Sequence, residues 1–246
     1  MTKKYGGVYP PLIDRFLTEE QKKGRDLKAV KTKLHQVYGA YTQDNAHKKA
    51  AALVENPSVE TANALLSLHA STKERLSHYM EFYDFIFRHT GDVESVLDVG
   101  CGYNPFSVPL MPNTKLAAYY AYDIDTRVAE LINSYFAGLG LPQGAGCADL
   151  AVYTPQETAD LGLMLKLMPV LEAQVPGSGF FLAKNLNVRY LVITYPTKSL
   201  GGRQKGMASN YDTAFQTAYG EGKLGKFTLM SQTIIGNELI YIMEAL

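Results

Sequence analysis

Residues 96–102, VLDVGCG, combine types that could bind a ligand. A short apolar run leads into Gly100 and Gly102, and glycines after a first strand let a ligand approach the backbone closely. Asp98, inside the run, could order the loop or meet a ligand amine through water. The third glycine of a dinucleotide fingerprint is missing, which weakens an interpretation as a pyrophosphate loop. A tight strand-to-helix turn without a ligand is the alternative.

Acidic residues follow two further strand candidates. Asp123 ends the second one, where an acid in a doubly wound fold accepts hydrogen bonds from ribose hydroxyls. Ile124, directly after it, would offer an apolar surface to adenine. Asp149 follows the third candidate and could accept from an adenine amino group. The alternatives are a helix cap for Asp123 and a solvated loop for Asp149.

A possible carboxylate site lies earlier in the chain. Residues 71–74, STKE, have the S-x-x-E pattern of a capping box and predict a helix that runs from there through Arg88. Arg75 would lie in its first turn, where a guanidinium and free backbone N–H groups could hold a carboxylate. S-adenosylmethionine has such a carboxylate and NAD does not.

A glycine-rich basic segment, residues 194–211, follows the fifth strand candidate. It contains Lys198, Arg203 and Lys205 and could clamp phosphates at the carboxyl edge of a sheet. A solvated loop is the alternative interpretation.

The sequence motifs of several other enzyme classes are absent. The chain has no H-E-x-x-H, no paired C-x-x-C, no G-x-S-x-G and no P-loop, so we expect no metal, no serine hydrolase and no P-loop ATPase. Residues 166–169, KLMP, differ from the D/N-P-P-Y/F of exocyclic-amine methylation. Neither Cys101 nor Cys147 has the setting of a nucleophile for pyrimidine methylation.

The first 90 residues predict a mainly helical region. Residues 1–20 predict a loop and at best a short helix, and residues 58–69 predict a helix after the break at 56–57. Residues 21–41 predict one amphipathic helix. Its apolar arc comprises Leu27, Val30, Leu34, Val37, Tyr38 and Tyr41, beside a basic arc of Arg25, Lys28, Lys31 and His35.

From residue 91 onwards strand candidates alternate with helices, which predicts a parallel sheet. The strand candidates are 94–99, 115–122, 146–150, 160–167, 188–195, 227–235 and 238–244, with helices at 126–137 and after Pro169. Gly236-Asn237 separates the last two strands and predicts an antiparallel hairpin. The prediction is an α/β, Rossmann-like class I methyltransferase core over 91–246, with a helical extension over 1–90.

Composition and charge restrict the class of protein and the kind of binding partner. The chain has 246 residues, 46% hydrophobic and 20% charged, which excludes a mainly disordered protein. No apolar run nears the roughly 18 residues of a membrane span and no signal peptide is recognisable, so a cytoplasmic protein without a membrane partner is expected. Residues 1–50 hold 11 basic and 5 acidic residues, a net charge of +6 that the rest of the chain balances. This asymmetry favours a polyanion-binding N-terminal region.

From about residue 30 to its end, the chain resembles the Arm/Rmt aminoglycoside-resistance 16S rRNA methyltransferases, which modify N7 of guanine 1405. The segments specific to this family are HASTKER at 69–75, GYNP at 102–105 and KSLGGRQKGM at 198–207. Further matching segments are 33–41, 68–76, 83–87, 97–105, 122–125, 165–171, 195–211 and 235–241.

The resemblance implies roles for individual positions. S-adenosylmethionine would be the cofactor and S-adenosylhomocysteine the product. Arg75 would bind the methionine carboxylate, Asp123 the ribose, and Ile124 and Asp149 the adenine. The remaining cofactor contacts would be Gly100 and Gly102 at the methionine, Leu150 at the adenine edge, Leu165 closing the pocket, and Gln174 at the methionine end.

The resemblance also implies a target and a mechanism. The substrate would be 16S rRNA in the assembled 30S subunit, with Lys198, Ser199, Arg203 and Lys205 around the guanine and the role of Met207 left open. Guanine N7 has a free lone pair at neutral pH, so no general base is needed and catalysis would be mainly positioning. The base must be flipped or locally exposed, because side chains cannot easily enter the deep groove of A-form RNA. Arg25, Lys28, Lys31 and His35 would face rRNA phosphates. A monomer is the default expectation.

Other functions remain open at this point. N1 methylation of adenine 1408 is the main rival, and a small-molecule methyltransferase with a helical lid is another. An RNA-binding module with a vestigial pocket is a non-enzymatic alternative. An NAD-dependent oxidoreductase is the least favoured, given the missing third glycine and the hairpin.

Overall fold

A seven-stranded sheet forms the centre of the computed structural model, which describes residues 5–39, 41, 45–112, 115–198 and 206–246. The spatial order is β3-β2-β1-β4-β5-β7-β6. The first five strands are parallel, and β7 runs antiparallel to both β5 and β6. The strands are β1 (Ser95–Val99), β2 (Ala118–Asp123), β3 (Ala145–Cys147), β4 (Thr158–Leu165), β5 (Asn187–Pro196), β6 (Phe227–Ile235) and β7 (Glu238–Ala245). The predicted mostly parallel sheet with a terminal hairpin is confirmed.

Ten α-helices lie in the described ranges. They are α1 (Pro10–Lys22), α2 (Leu27–Leu34), α3 (Ala46–Ala51), α4 (Val59–Leu66), α5 (Ala70–Arg75), α6 (Tyr79–Thr90), α7 (Thr126–Gly138), α8 (Met168–Gln174), α9 (Ser178–Asn185) and α10 (Met207–Gly220). A π-helical turn, His35–Gly39, extends α2, and 3-10 segments cover Leu76–His78 and Asn104–Leu110.

Both faces are covered at the centre of the sheet, where β1, β4, β5 and β7 are buried along most of their length. Val192 of β5 packs into a cluster with residues of α4, α6 and α7, whereas its neighbours Leu191 and Ile193 pack on the other face with α8, α9 and α10. The first cluster joins Tyr83 of α6 to Val96 of β1, so the core is continuous across residue 90.

The N-terminal helices differ from the prediction. Residues 1–20 contribute most of a 13-residue helix, α1, because Pro10 starts a helix well. The helix predicted over 21–41 is broken before Leu27, where Gly24 has a φ of 65° and the Asp26 side chain caps α2. Leu27 is 62% exposed, and thus does not belong to the apolar face. The apolar face of α2 and its π-helical turn consists of Val30, Leu34 and Tyr38, which pack on Leu12 and Phe16 of α1.

The predicted capping box at residues 71–74 is wrong. Helix α5 begins at Ala70, so Ser71 lies inside it and Arg75 is its last residue instead of a first-turn residue. The capping box in this region is made by Ser58 and Thr61 at the start of α4. Glu74 instead pairs with Lys166, 2.7 Å away.

Candidate functional site

A cleft opens where the parallel strands β1 to β4 end, the usual position of a ligand site in an open α/β sheet. It encloses about 970 Å³, part of it open to solvent, enough for a nucleotide-sized ligand. Its walls come from the loops after these strands, from α5 and α8, and from the N-terminal helix α1.

The glycine loop after β1 forms the floor of the cleft. Gly100 and Gly102 have φ angles of 68° and 50°, which side-chain-bearing residues rarely adopt. A Cβ on Gly100 would lie 2.6 Å from Leu167 Cδ1, and one on Gly102 would lie 3.0 Å from His69 Cε1. The positive φ angles and the packing of Leu167 and His69 against the loop therefore require glycine here.

Asp123 stabilises this loop and also lines the cleft. Its Oδ2 accepts from Gly102 N at 2.8 Å, and its Oδ1 accepts from the backbone N–H groups of Ile124 and Asp125. Burial raises the pKa of the Asp123 carboxyl. Ile124 lines the cleft beside it, as predicted.

Asp98 lies beneath the loop and does not line the cleft. It is fully buried, and its Oδ2 accepts from Asn104 Nδ2 and from the Tyr119 hydroxyl, both at 2.9 Å. Burial raises the pKa of Asp98 to about 6. Of the two roles predicted for Asp98, this geometry favours ordering the loop over contact with a ligand.

Arg75 reaches the cleft from the end of α5. Its Nη2 donates to Glu238 Oε2 at 2.7 Å and its Nη1 to Asn104 Oδ1 at 3.1 Å. The Arg75 Nε is buried and has no hydrogen-bond partner among the described residues. Part of the donor capacity of this buried cation is thus unused within the described residues.

Asp149 and Gln174 share one guanidinium that the sequence did not single out. Arg15 of α1 donates its Nε to Asp149 Oδ2 at 2.6 Å, and its Nη2 donates to Asp149 Oδ1 at 3.0 Å and to Gln174 Oε1 at 2.8 Å. Gln174 therefore lies beside Asp149, at the predicted adenine end rather than the predicted methionine end. Leu150 and Leu165 are buried and line the cleft.

The predicted target-base segment is described in part. Ser199, Arg203 and Lys205 lie outside the described residues. Lys198 follows β5 and is half-buried, and Met207 is the first residue of α10, also half-buried. Neither lines the cleft within the described ranges.

The predicted basic arc lies on the outside of α2 and its flanks. Arg25, Lys28, Lys31 and His35 are all exposed, and Arg25 contacts Glu20 at 3.4 Å. Lys33, on the same helix, is instead engaged by Glu19 and Glu20. The arc therefore offers three cations and a histidine to a partner.

Cysteine chemistry has no support in the geometry. Burial raises the pKa of the Cys147 thiol to about 12 and that of Cys101 well above its usual range, so neither is a thiolate at neutral pH. Within the described ranges, no group of three or more His, Cys, Asp or Glu side chains could hold a metal ion. In the same ranges, no helix has the length and apolarity that crossing a membrane requires.

Comparison with known proteins assigns the chain to a family. A family model described as "Ribosomal RNA methyltransferase (FmrO)" matches residues 1–242. The chain belongs to the FmrO family of ribosomal RNA methyltransferases.

Individual relatives match over most of their length. The 16S rRNA (guanine(1405)-N(7))-methyltransferase of Serratia marcescens is 36% identical, over 99% of this chain and 94% of the relative. That of Micromonospora rosea is also 36% identical, over 89% and 82%. The crystal structure of the 16S rRNA methyltransferase RmtF in complex with S-adenosyl-L-homocysteine is 33% identical, with a TM-score of 0.88, and the match covers 100% of this chain and 94% of that one.

This FmrO-family cleft also contains residues that sequence reasoning missed. Lys166 has a φ of 57°, and its ammonium lies 2.7 Å from Glu74 and 3.3 Å from Glu238. The sequence marks the segment 165–169, LKLMP, which contains Lys166. No local pattern, however, relates Lys166 to its buried partner Glu238. Beside Gly102, His69 stacks on Tyr103 and Tyr41, and burial, together with Lys166, lowers the pKa of His69 to about 4.

Proposed function

We propose that this protein transfers a methyl group from S-adenosylmethionine to N7 of guanine 1405 in 16S rRNA and thereby confers aminoglycoside resistance. One structural observation supports the proposal in addition to family membership. Nine residues predicted to bind the cofactor line one cleft, although they are spread over a hundred positions of the chain. They are Arg75, Gly100, Gly102, Asp123, Ile124, Asp149, Leu150, Leu165 and Gln174.

The residues of the cleft fit the chemical groups of S-adenosylmethionine. Arg75 lines the cleft, and its guanidinium is a donor for the methionine carboxylate. Gly100 and Gly102 line the cleft and present backbone without side chains to a ligand. Asp123 is an acceptor for ribose hydroxyls, and Asp149 for the adenine amino group.

The cleft residues contribute to the reaction by orienting the methyl donor and the guanine. S-adenosylmethionine supplies, when bound, a methyl group on a positively charged sulfonium. Because guanine N7 is already a nucleophile at neutral pH, no side chain has to remove a proton, and orientation of the two reactants is the protein's main contribution. The cleft agrees with this, since burial keeps the Cys101 thiol protonated, and burial together with Lys166 lowers the pKa of His69 to about 4, which makes its imidazole a weak base.

The exposed basic arc supports a large anionic substrate. Arg25, Lys28 and Lys31 would contact rRNA phosphates with a salt-sensitive affinity that does not depend on sequence. We further propose that the substrate is the assembled 30S subunit, that the protein acts as a monomer, and that it acts in the cytoplasm, where this subunit is found.

Radiolabelled methyl transfer tests the substrate. We expect label from S-[methyl-³H]adenosylmethionine to enter 16S rRNA in purified 30S subunits, and little label to enter protein-free 16S rRNA. Equal labelling of both would overturn the 30S assignment, and labelling of neither would overturn the rRNA assignment.

A charge-reversal variant tests the docking surface. R25E/K28E/K31E should lose most transfer to 30S subunits while binding S-adenosylhomocysteine as the wild type does. The control is K184E/K223E/K226E, which changes the net charge equally; Lys226 faces the starts of β1, β4 and β5, at the opposite edge of the sheet. If both triple variants lose transfer equally, net charge rather than the basic arc is responsible.

Resistance profiles separate the guanine and adenine targets. Apramycin resistance is expected of adenine-1408 methylation and not of guanine-1405 methylation. Cells that express this protein should therefore tolerate other aminoglycosides while remaining sensitive to apramycin, and apramycin resistance would favour the adenine target.

A further inference from the structure

The N-terminal helix α1 is built into the cofactor cleft. Leu12, 1% exposed, lines the cleft itself. At the start of the helix, Tyr9 N donates to Ile124 O at 2.7 Å, and Val8 forms a β-bridge with Asp125. The segment that the sequence assigns to a helical extension thus contacts residues at the predicted adenine wall.

One α1 side chain holds two residues of that wall. The planar guanidinium of Arg15 binds both oxygens of Asp149 and, through Nη2, also Gln174. Such a bidentate arrangement fixes the carboxylate in one orientation. Glu19, one turn later, accepts from Arg15 Nη1 at 2.8 Å and holds the guanidinium from its other side.

The arrangement leaves acceptor capacity on Asp149. Oδ1 accepts from Arg15 Nη2 and from Ala151 N, whereas Oδ2 accepts from Arg15 Nε alone among the described residues. A carboxylate oxygen can accept two hydrogen bonds, so Oδ2 keeps one site for a donor on a ligand. An exocyclic amino group is such a donor, and a carbonyl is not.

We propose that Arg15 is a positioning residue that sets the preference of the site for an adenine base, by orienting Asp149 and Gln174. The inference rests on the proposed function, because it assumes an adenosine-containing cofactor. Helix α1 is then part of the cofactor site as well as of the N-terminal region.

Ligand binding to the full chain tests this role. The probes are S-adenosylhomocysteine and its inosine analogue, S-inosylhomocysteine, in which a carbonyl replaces the amino group, measured by isothermal titration calorimetry. The wild type should prefer the adenine compound. R15A should bind it roughly tenfold more weakly, with less effect on the inosine compound, so that the preference shrinks.

Two further variants make the outcome decisive. R15K keeps the positive charge but lacks the planar guanidinium that binds Asp149 through two nitrogens. Its preference for adenine should lie between those of the wild type and R15A. K22A removes another α1 cation, an exposed one, and should match the wild type. Circular dichroism establishes folding, and if R15A does not fold, R15K carries the test.

Results that contradict the role of Arg15 differ from the result that contradicts the proposed function. Wild-type preference in R15A, or in R15K if R15A does not fold, overturns the proposal. So does an equal loss of affinity for both ligands, because that indicates a general collapse of the cleft. A wild-type protein that binds neither ligand contradicts the proposed function instead.

Discussion

The two ends of the cleft handle charge differently. At the Arg75 end (Arg75, Lys166 and Glu238), the Arg75 and Glu238 side chains are only 3% and 4% exposed and belong to α5 and β7 of the core. At the Asp149 end (Asp149, Gln174 and Arg15), Arg15 is 14% exposed and comes from the N-terminal helix. Breaking a buried ion pair leaves an uncompensated charge. At the Asp149 end, the cation is the more exposed partner, and it keeps Glu19 and Gln174 when one contact is lost. Folding should therefore depend on the Arg75 end, and ligand affinity and selectivity on the Asp149 end.

Removing Arg75 should have the largest effect. R75A leaves the Glu238 carboxylate buried with the more distant Lys166 as its remaining cation. We expect a loss of about 3–5 kcal/mol in the free energy of unfolding, measured by urea denaturation. A loss below about 1 kcal/mol would contradict the difference drawn between the two ends.

The glycine loop joins the two ends and should rank next. G100A and G140A both place alanine at a φ near 70°, which costs about 1–2 kcal/mol. Only at Gly100 does the new Cβ meet a neighbour, Leu167, which adds about 1–3 kcal/mol. G100A should also lose S-adenosylhomocysteine binding, while G140A keeps it. Equal behaviour of the two variants would show that crowding at the loop is unimportant.

Asp98, beneath the glycine loop and joined to Arg75 through Asn104, should carry a pH dependence. Burial raises the folded-state pKa of Asp98 from 3.8 to about 6. The stability that this shift contributes is fully present below pH 3.8 and is lost as the pH rises through about 6. D98N should not show that loss, so its stability relative to the wild type should improve by about 2–3 kcal/mol between pH 4 and pH 7. A difference that stays constant over this range would mean that Asp98 titrates normally.

The Asp149 end should show the smallest stability effect. In D149N, Arg15 keeps its contacts with Glu19 and Gln174, so we expect less than about 1 kcal/mol of lost stability. Calorimetry should show roughly tenfold weaker S-adenosylhomocysteine binding, since the adenine amine loses a charged acceptor. A variant that unfolds but still binds normally when folded would reverse the contrast between the ends.

The local parts of this architecture were predictable from sequence. Strand β1 with its glycine loop, Asp123 at the end of β2 and the Gly236-Asn237 hairpin all carry short-range signals, and the structure has them at the expected places. The capping box was misplaced because S-x-x-E is a short pattern that also occurs inside a helix, as at Ser71.

The long-range contacts were not predictable in the same way. Arg15 and Asp149 are 134 residues apart, and Arg75 and Glu238 are 163 apart. No periodicity or cap relates such pairs, because they meet only after the sheet has formed and α1 has docked on it. The chemistry of a cleft residue could thus be read from sequence, but the partner that orients it could not.

Strand scission at the methylated guanine tests the central claim most directly. The 30S subunits are incubated with the protein and S-adenosylmethionine, and the extracted 16S rRNA is treated with borohydride and aniline, which cleave at N7-methylguanine. We predict cleavage at guanine 1405 that requires both protein and cofactor. No cofactor-dependent cleavage by folded protein, or cleavage at another guanine, would contradict the assignment.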